Sequence, residues 1–266
     1  MAMSKRVKKD LSGKRAIVTG AAAGMGFEYS RQLALRGCDV LMIDRNTLDD
    51  VANDLRKQAG IEIYTLQLDL SQTDAPERVM EWLTEHDYNP DILINNAGVF
   101  DFRQVSDLSD ERVELYLNLH VRTLTHLCRK IGDLMKQKGA GYILNMSSMS
   151  CWMPMPGIAL YSATKAYIHT FSRALYHELR DSGISVTVVC PGAVATNLYN
   201  LSESLQRLGV RIGVLYTPQR LVRNALRRML RRRPQYINGL LNRISIVFVN
   251  TLPNWVVKYA KHRLLK

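Results

Sequence analysis

Acidic residues are missing from the last quarter of the sequence. Glu203 is the last acidic residue, and residues 204–266 contain fourteen Lys or Arg. The whole chain holds 36 basic and 24 acidic side chains, so the part before residue 204 holds 22 basic and 24 acidic ones. The basic segment has three interpretations: a solvated helix face, attraction of an anionic substrate, or peripheral contact with an anionic membrane. Nucleic-acid binding is disfavoured, because no recognition motif accompanies the charge.

Cysteines and long apolar runs are also scarce. The four cysteines are far apart in the sequence and show no CxxC or CxxH spacing, which argues against a metal site and a disulfide framework. The apolar run at residues 244–249 is far shorter than the ~20 residues that a membrane span needs. No apolar segment of the signal-peptide kind follows the basic start MAMSKRVKK. We therefore expect a cytoplasmic protein in a reducing compartment, without a metal.

Short runs rich in β-branched residues alternate with longer amphipathic stretches. Strands are predicted at residues 15–19, 40–43, 61–68, 91–95, 142–146 and 184–190, with 235–237 as a candidate seventh strand. Helical spacing of apolar residues is clearest at 25–37 and 164–183. This alternation predicts an α/β fold with a single doubly wound parallel sheet of about seven strands and helices on both faces, a Rossmann fold. With no linker or repeat, residues 1–266 are predicted to form one domain.

The stretch TGAAAGMG follows the first predicted strand and leads into a predicted helix. Glycines at such a turn let the backbone approach a pyrophosphate, which the N–H groups at the helix start would bind. Gly20, Gly24, Met25 and Gly26 are therefore candidate cofactor contacts. A tight turn packed by small residues explains a lone glycine cluster equally well.

Asp44 ends the second predicted strand, eighteen residues beyond Gly26. A carboxylate at this place accepts hydrogen bonds from the ribose hydroxyls of a dinucleotide. A phosphate on that ribose would face a like charge, so Asp44 favours NAD over NADP. Arg45 could stack on the adenine, offset this repulsion, or be a solvated loop charge.

At this point the sequence resembles the short-chain dehydrogenase/reductase family, over about residues 10–200. The pattern T-G-x-x-x-G-x-G is that of its compact oxidoreductase branch, and NNAG, YSATK and PGAVAT follow in the family's order. The resemblance implies further cofactor contacts from Asp69, Leu70, Asn96, Ala97, Gly98 and Thr196. It also implies that residues 194–266 comprise the segment that covers the substrate and a basic C-terminal extension. Many compact members instead end in a glycine-rich strand and a short tail.

YSATK places Tyr161 one helical turn before Lys165, so the phenol and the ammonium share a helix face. Ser148 lies thirteen residues before Tyr161, and Asn118 falls in LYLNLHV. The resemblance implies that these four residues are catalytic. A free tyrosine ionises near pH ~10, and the ammonium and an oxidised nicotinamide both favour its phenolate. Tyr161 would then exchange a proton with the substrate oxygen that Ser148 holds, Lys165 would also hold the nicotinamide ribose, and Asn118 would fix a water.

The apolar run between Ser148 and Tyr161 lies where this family lines its substrate pocket. Trp152 and Met155 would form a wall for a bulky hydrophobic substrate, with core packing as the alternative. Four histidines without ligand-like clustering are interpreted as structural: His120, His126, His169 and His177.

We therefore expect an NAD(P)-dependent oxidoreductase that interconverts a secondary alcohol and a ketone on a hydroxysteroid, bile acid or long-chain acyl substrate. The alternatives are a 3-ketoacyl thioester reductase and a non-catalytic nucleotide-binding protein associated with a membrane. By resemblance, a homodimer or homotetramer would form through the helices that carry Asn118 and Tyr161.

Overall fold

All strands of the computed structural model belong to one parallel sheet. The structure describes residues 10–192, 216–239, 242–244 and 246 of the chain. In chain order the strands are β1 Arg15–Thr19, β2 Asp39–Asp44, β3 Ile63–Gln67, β4 Ile92–Asn95, β5 Gly141–Met146, β6 Ile184–Cys190 and β7 Gln235–Ile237. Their order across the sheet is β3-β2-β1-β4-β5-β6-β7, and every neighbouring pair is parallel. The predicted fold class is confirmed, and QYI is the seventh strand.

Helices connect the strands. They are α1 Gly24–Ala34, α2 Asp49–Ala59, α3 Ala75–Glu85, α4 Asp110–Leu117, α5 Leu124–Lys138, α6 Ala159–Arg180 and α7 Pro218–Leu230. A π-helical turn, Asn118–Thr123, joins α4 to α5, and short 3-10 helices cover Val105–Asp107 and Met149–Trp152. The sequence places Tyr161 and Lys165 on one helix face, and α6, which begins at Ala159, includes both residues.

Two buried clusters cover the two faces of the sheet. On β1, Ala16 and Val18 belong to the cluster formed with α1, α2 and α7, while Ile17 belongs to the cluster formed with α3, α5 and α6. This alternation follows from the period of two along a strand. Because both faces are covered, the middle residues of β1, β2 and β4 are apolar and buried.

The sheet order reverses between β1 and β4, which are adjacent although two strands separate them in the chain. In doubly wound sheets a ligand cleft opens beyond the carboxyl ends of the strands at this switch point. The glycine-rich turn follows β1, and NNAG begins with the last residue of β4. The topology therefore places the two motifs side by side.

Helix α7 accounts for part of the basic C-terminal segment. Leu221, Val222, Ala225, Leu226 and Met229 are buried on one side of the helix. Arg220, Arg223 and Arg227 are exposed, and no α7 arginine forms an ion pair with a described residue. Thr196 and the last twenty residues lie outside the described residues. Within the described part, no helix has the length and apolar character to cross a membrane.

Candidate active site

A cavity of about 520 Å³ lies at the carboxyl ends of the central strands. Its wall includes residues from the glycine-rich turn, the ends of β2 and β3, the NNAG loop, and the segment after β5. Nearly all of the residues that the sequence predicts as cofactor contacts lie in this wall: Gly20, Gly24, Met25, Asp44, Arg45, Asp69, Leu70, Asn96, Ala97 and Gly98. The predicted contacts therefore converge on one space.

Gly26 is packed against the glycine-rich turn instead of lining the cavity. A Cβ at this position would lie 1.9 Å from the carbonyl oxygen of Gly20, so no other residue fits without moving the backbone. Its role is to let α1 start directly beneath the turn. Ala23, which precedes the helix, makes no side-chain capping hydrogen bond, so no capping side chain occupies the start of α1. The first N–H groups of a helix with such an end can bind an anion.

Thr19 and Asn96 join the glycine-rich turn to the NNAG loop. The Thr19 hydroxyl accepts hydrogen bonds from the backbone N–H groups of Asn96, at 2.9 Å, and Ala97, at 3.0 Å. In return, the Asn96 amide donates to the carbonyl oxygens of Thr19, at 3.0 Å, and Gly20, at 3.2 Å. These bonds fix the spacing of the two loops that form the cavity wall.

The Asp44 carboxylate organises the edge of the cavity. One oxygen accepts from the N–H of Ala22 at 3.0 Å, and the other accepts from the backbone N–H and the side-chain amide of Asn46 at 2.9 and 3.1 Å. An ionised carboxylate can accept about four hydrogen bonds, so capacity for a ribose hydroxyl remains. Arg45 is exposed beside it. Asp69 similarly accepts from the N–H and hydroxyl of Ser71 at 2.9 and 2.7 Å.

Ser148, Tyr161 and Lys165 line the same cavity. Ser148 follows β5, and its Oγ accepts a hydrogen bond of 3.1 Å from the N–H of Ser150. Tyr161 and Lys165 lie one turn apart on α6, with Nζ 5.6 Å from the centre of the tyrosine ring. The Phe100 ring packs edge-on against Tyr161 with 5.0 Å between ring centres. The three predicted catalytic side chains are therefore brought together.

Lys165 is a charged group almost removed from water. Its side chain donates from Nζ to the carbonyl oxygen of Met146 at 3.1 Å, and the residue is only 5 % exposed. Burial lowers the pKa of Lys165 to about 8, because the ammonium loses hydration without gaining a carboxylate partner among the described residues. Ser147 supports the same turn, since its hydroxyl donates to the Lys165 carbonyl oxygen at 2.7 Å.

Asn118 is placed differently from the other three. It is the first residue of the π-helical turn and does not appear in the described wall of the cavity. A π turn inside a helix widens the backbone spacing and often marks a functional site. The π-helical turn begins at Asn118, and the role of Asn118 in holding a water stays a prediction.

The two predicted substrate contacts beyond the serine also lie outside the described cavity wall. The Trp152 ring packs against His169, with ring centres 4.8 Å apart, and against the core cluster under α6. Met155 is half-buried in the segment before α6. Apolar residues that do line the cavity include Val99, Leu115, Leu119, Met146 and Pro191. Leu115 and Leu119 have the i, i+4 spacing of a helix face, but the sequence does not show that this face meets the site.

Comparison with known proteins gives consistent matches. A family model described as short chain dehydrogenase matches residues 14–206. Very-long-chain 3-oxoacyl-CoA reductase of Mus musculus is 32% identical over 198 residues, which cover 72% of this chain and 62% of that protein. The chain therefore spans about three fifths of that relative's length.

Solved structures of dehydrogenases also match this chain. A short-chain dehydrogenase from Sphingobium yanoikuyae in complex with NADPH is 32% identical, with a TM-score of 0.77 over 85% of this chain and 88% of that one. A bulky-bulky ketone specific alcohol dehydrogenase from Comamonas testosteroni is 27% identical, with a TM-score of 0.75 over 90% of this chain and 92% of that one.

Proposed function

The chain belongs to the short-chain dehydrogenase family, and we propose that it interconverts a secondary alcohol and a ketone of a bulky hydrophobic substrate with a nicotinamide nucleotide. One observation carries the proposal: Ser148, Tyr161 and Lys165 share a cavity with the glycine-rich turn and the NNAG loop. A protein that only binds a nucleotide has no use for a buried phenol that can transfer a proton beside the ammonium.

The residues present fit a dinucleotide. The uncapped start of α1 would hold the pyrophosphate, Asp44 a ribose hydroxyl, and Lys165 the second ribose. When bound, the nicotinamide nucleotide supplies the acceptor or donor of hydride. The carboxylate of Asp44 at the cavity edge supports a preference for NAD over NADP, with the neighbouring Arg45 as the opposing influence.

Tyr161 would transfer the proton. In reduction its hydroxyl donates a proton to the ketone oxygen, and in oxidation the phenolate takes that proton back. The Lys165 ammonium beside the ring stabilises the phenolate, and this attraction is strong because both groups are buried. The Ser148 hydroxyl accepts from Ser150, which leaves its own proton to donate to the substrate oxygen and to stabilise the charge that develops there.

The substrate proposal is a hydroxysteroid, bile acid or long-chain acyl compound. The apolar residues in the cavity wall support a hydrophobic substrate. A second candidate is a long-chain 3-oxoacyl thioester, and the sequence identity to a very-long-chain 3-oxoacyl-CoA reductase favours it. Turnover of hydroxysteroids and of 3-oxoacyl thioesters can be compared by monitoring the absorbance of the reduced nicotinamide. The compound class that is turned over distinguishes the two substrate candidates.

Replacing Tyr161 by phenylalanine tests the mechanism. The ring and its contacts remain, and only the proton-transferring hydroxyl is lost. We expect Tyr161→Phe to lower kcat by about 10²-fold or more, while the Kd for the nucleotide stays close to that of the wild type. Both are measurable by absorbance and by fluorescence titration.

A matched control is Tyr176→Phe, farther along the same helix and half-buried against the core. It should keep wild-type kcat. Near-normal turnover in Tyr161→Phe would contradict the proposal and favour a binding protein without catalysis.

A further inference from the structure

His120 is a buried residue that the sequence alone suggests is structural. It lies in the π-helical turn, two residues after Asn118, and is 1% exposed. Its ring meets the rings of Tyr116 and Tyr161 edge-on, with centres 5.3 and 6.1 Å away. A histidine therefore lies against the catalytic tyrosine without being part of the proposed proton transfer.

Both ring nitrogens of His120 are hydrogen-bonded, each to a different part of the site. The backbone N–H of Val99, directly after NNAG, donates to Nε2 at 3.0 Å. Nδ1 lies 2.9 Å from the hydroxyl of Thr164, the residue before Lys165. One ring thus links the nucleotide-binding loop after β4 to the helix that carries Tyr161 and Lys165.

The hydrogen-bond directions fix the state of the ring. The Thr164 hydroxyl donates its only proton to the carbonyl oxygen of Tyr161 at 2.8 Å, so it must accept from His120. Nδ1 therefore carries the hydrogen, and Nε2 is free to accept from Val99. A doubly protonated ring would turn an N–H toward the Val99 N–H and break this contact.

The surroundings keep the ring neutral. Burial lowers the pKa of His120 well below its usual value, and the positive charges of Lys165 on α6 and Arg112 on α4 act in the same direction. A Cβ on Gly98 would lie 3.0 Å from Nε2 of His120 and 3.5 Å from Nζ of Lys165, which shows how closely the loop, the ring and the ammonium approach.

We propose that His120 is a positioning residue that sets the distance between the nucleotide-binding loop and the catalytic pair on α6, through one hydrogen bond to each. The inference rests on the proposed oxidoreductase function. The bond to Val99 fixes the loop, and the bond to Thr164 fixes the turn between Tyr161 and Lys165. Loss of the Val99 bond releases the loop, and loss of the Thr164 bond releases the catalytic pair.

Two substitutions separate the bonds. An asparagine amide nitrogen takes the place of Nδ1, so His120→Asn keeps the donor to Thr164 and leaves the Val99 N–H without an acceptor. A glutamine amide oxygen takes the place of Nε2, so His120→Gln keeps the acceptor for Val99 and loses the donor. His126→Asn, on α5 and half-buried, is the matched control.

The two variants should fail in different ways. An unpaired buried N–H weakens the loop, so we expect His120→Asn to raise the Kd for NADH or NADPH about tenfold. Displacement of the catalytic pair should make His120→Gln lower kcat about tenfold and raise the nucleotide Kd less than His120→Asn does, because the loop keeps its bond. His126→Asn should change neither quantity. Thr164→Val should lower kcat as well, and adding His120→Gln to it should cause no further loss.

Amide hydrogen exchange supplies a readout that needs no substrate. Exchange at Val99 should accelerate at least tenfold in His120→Asn and remain slow in His120→Gln. If the wild type turns over no substrate, the proposed function fails, while this exchange pattern still decides the role of His120. Equal effects of the two variants on Kd, kcat and exchange, or additive losses in the Thr164→Val double variant, would overturn the proposal.

Discussion

Removing the buried ammonium of Lys165 should stabilise the protein while it abolishes activity. Burial lowers the pKa of Lys165 to about 8, against an ordinary lysine value of ~10.4. The unfolded chain therefore binds more protons than the folded chain between these two values, so the stability contributed by this group rises with pH across that window. Below pH ~8 the folded state carries the full penalty of the buried charge, about 3 kcal/mol at 1.36 kcal/mol per pH unit of the gap.

Lys165→Met fills the same space without a charge. The variant avoids the penalty of about 3 kcal/mol that the buried charge imposes. It also loses the hydrogen bond to the Met146 carbonyl oxygen, which is worth about 1 kcal/mol. We expect the free energy of unfolding at pH 7 to rise by about 2 kcal/mol, which corresponds to about 4 to 8 °C in Tm. At pH ~10.5 the folded lysine is neutral and the unfolded lysine is only about half protonated, so most of the gain should disappear.

The assay is urea unfolding of wild type and variant at both pH values, without nucleotide, because a ligand that binds only the folded state adds its own stabilisation. Lys57→Met is the control, since Lys57 is exposed on α2 and should change stability by less than about 0.5 kcal/mol. A variant less stable than the wild type at pH 7, or a stability difference that does not depend on pH, would refute the reasoning.

The remaining predictions concern the nucleotide and the basic segment. Comparing kcat/KM for NAD and NADP should show the advantage for NAD that Asp44 favours; a tenfold advantage for NADP would mean that Arg45 dominates. Replacing Arg223, Arg227 and Arg231, all exposed, with glutamine should weaken binding of an acidic substrate or of anionic vesicles without changing kcat. Such binding should also weaken with added salt, and unchanged binding under both tests would indicate a solvated helix face.

Several features of the site could be predicted from the sequence because the signals are local. The glycine-rich turn, Asp44 at a strand end and NNAG each specify a backbone shape within a few residues, and the parallel sheet then brings strand ends to one edge. The i, i+4 spacing of Tyr161 and Lys165 fixes their shared helix face on α6. The family model confirms the family assignment, and the structure confirms the seven-stranded sheet.

The walls of the cavity were harder to predict because they depend on packing between distant elements. The apolar run after Ser148 suggests a substrate wall, yet the Trp152 ring packs against His169, and Leu115 and Leu119 line the cavity instead. An apolar side chain contributes the same burial free energy in a core as in a pocket. Composition therefore does not distinguish the two.

The sequence by itself determined the order of strands and helices, the glycine-rich turn, and the residue types able to transfer a proton, because each depends on neighbours along the chain. Only the tertiary structure decided the depth at which Lys165 is buried and the partners of His120. The π-helical turn departs from the 3.6-residue period, so a helical pattern does not show which way His120 faces. Its bonds reach residues 21 and 44 positions away in the chain, and such distances are set by the closure of the whole fold.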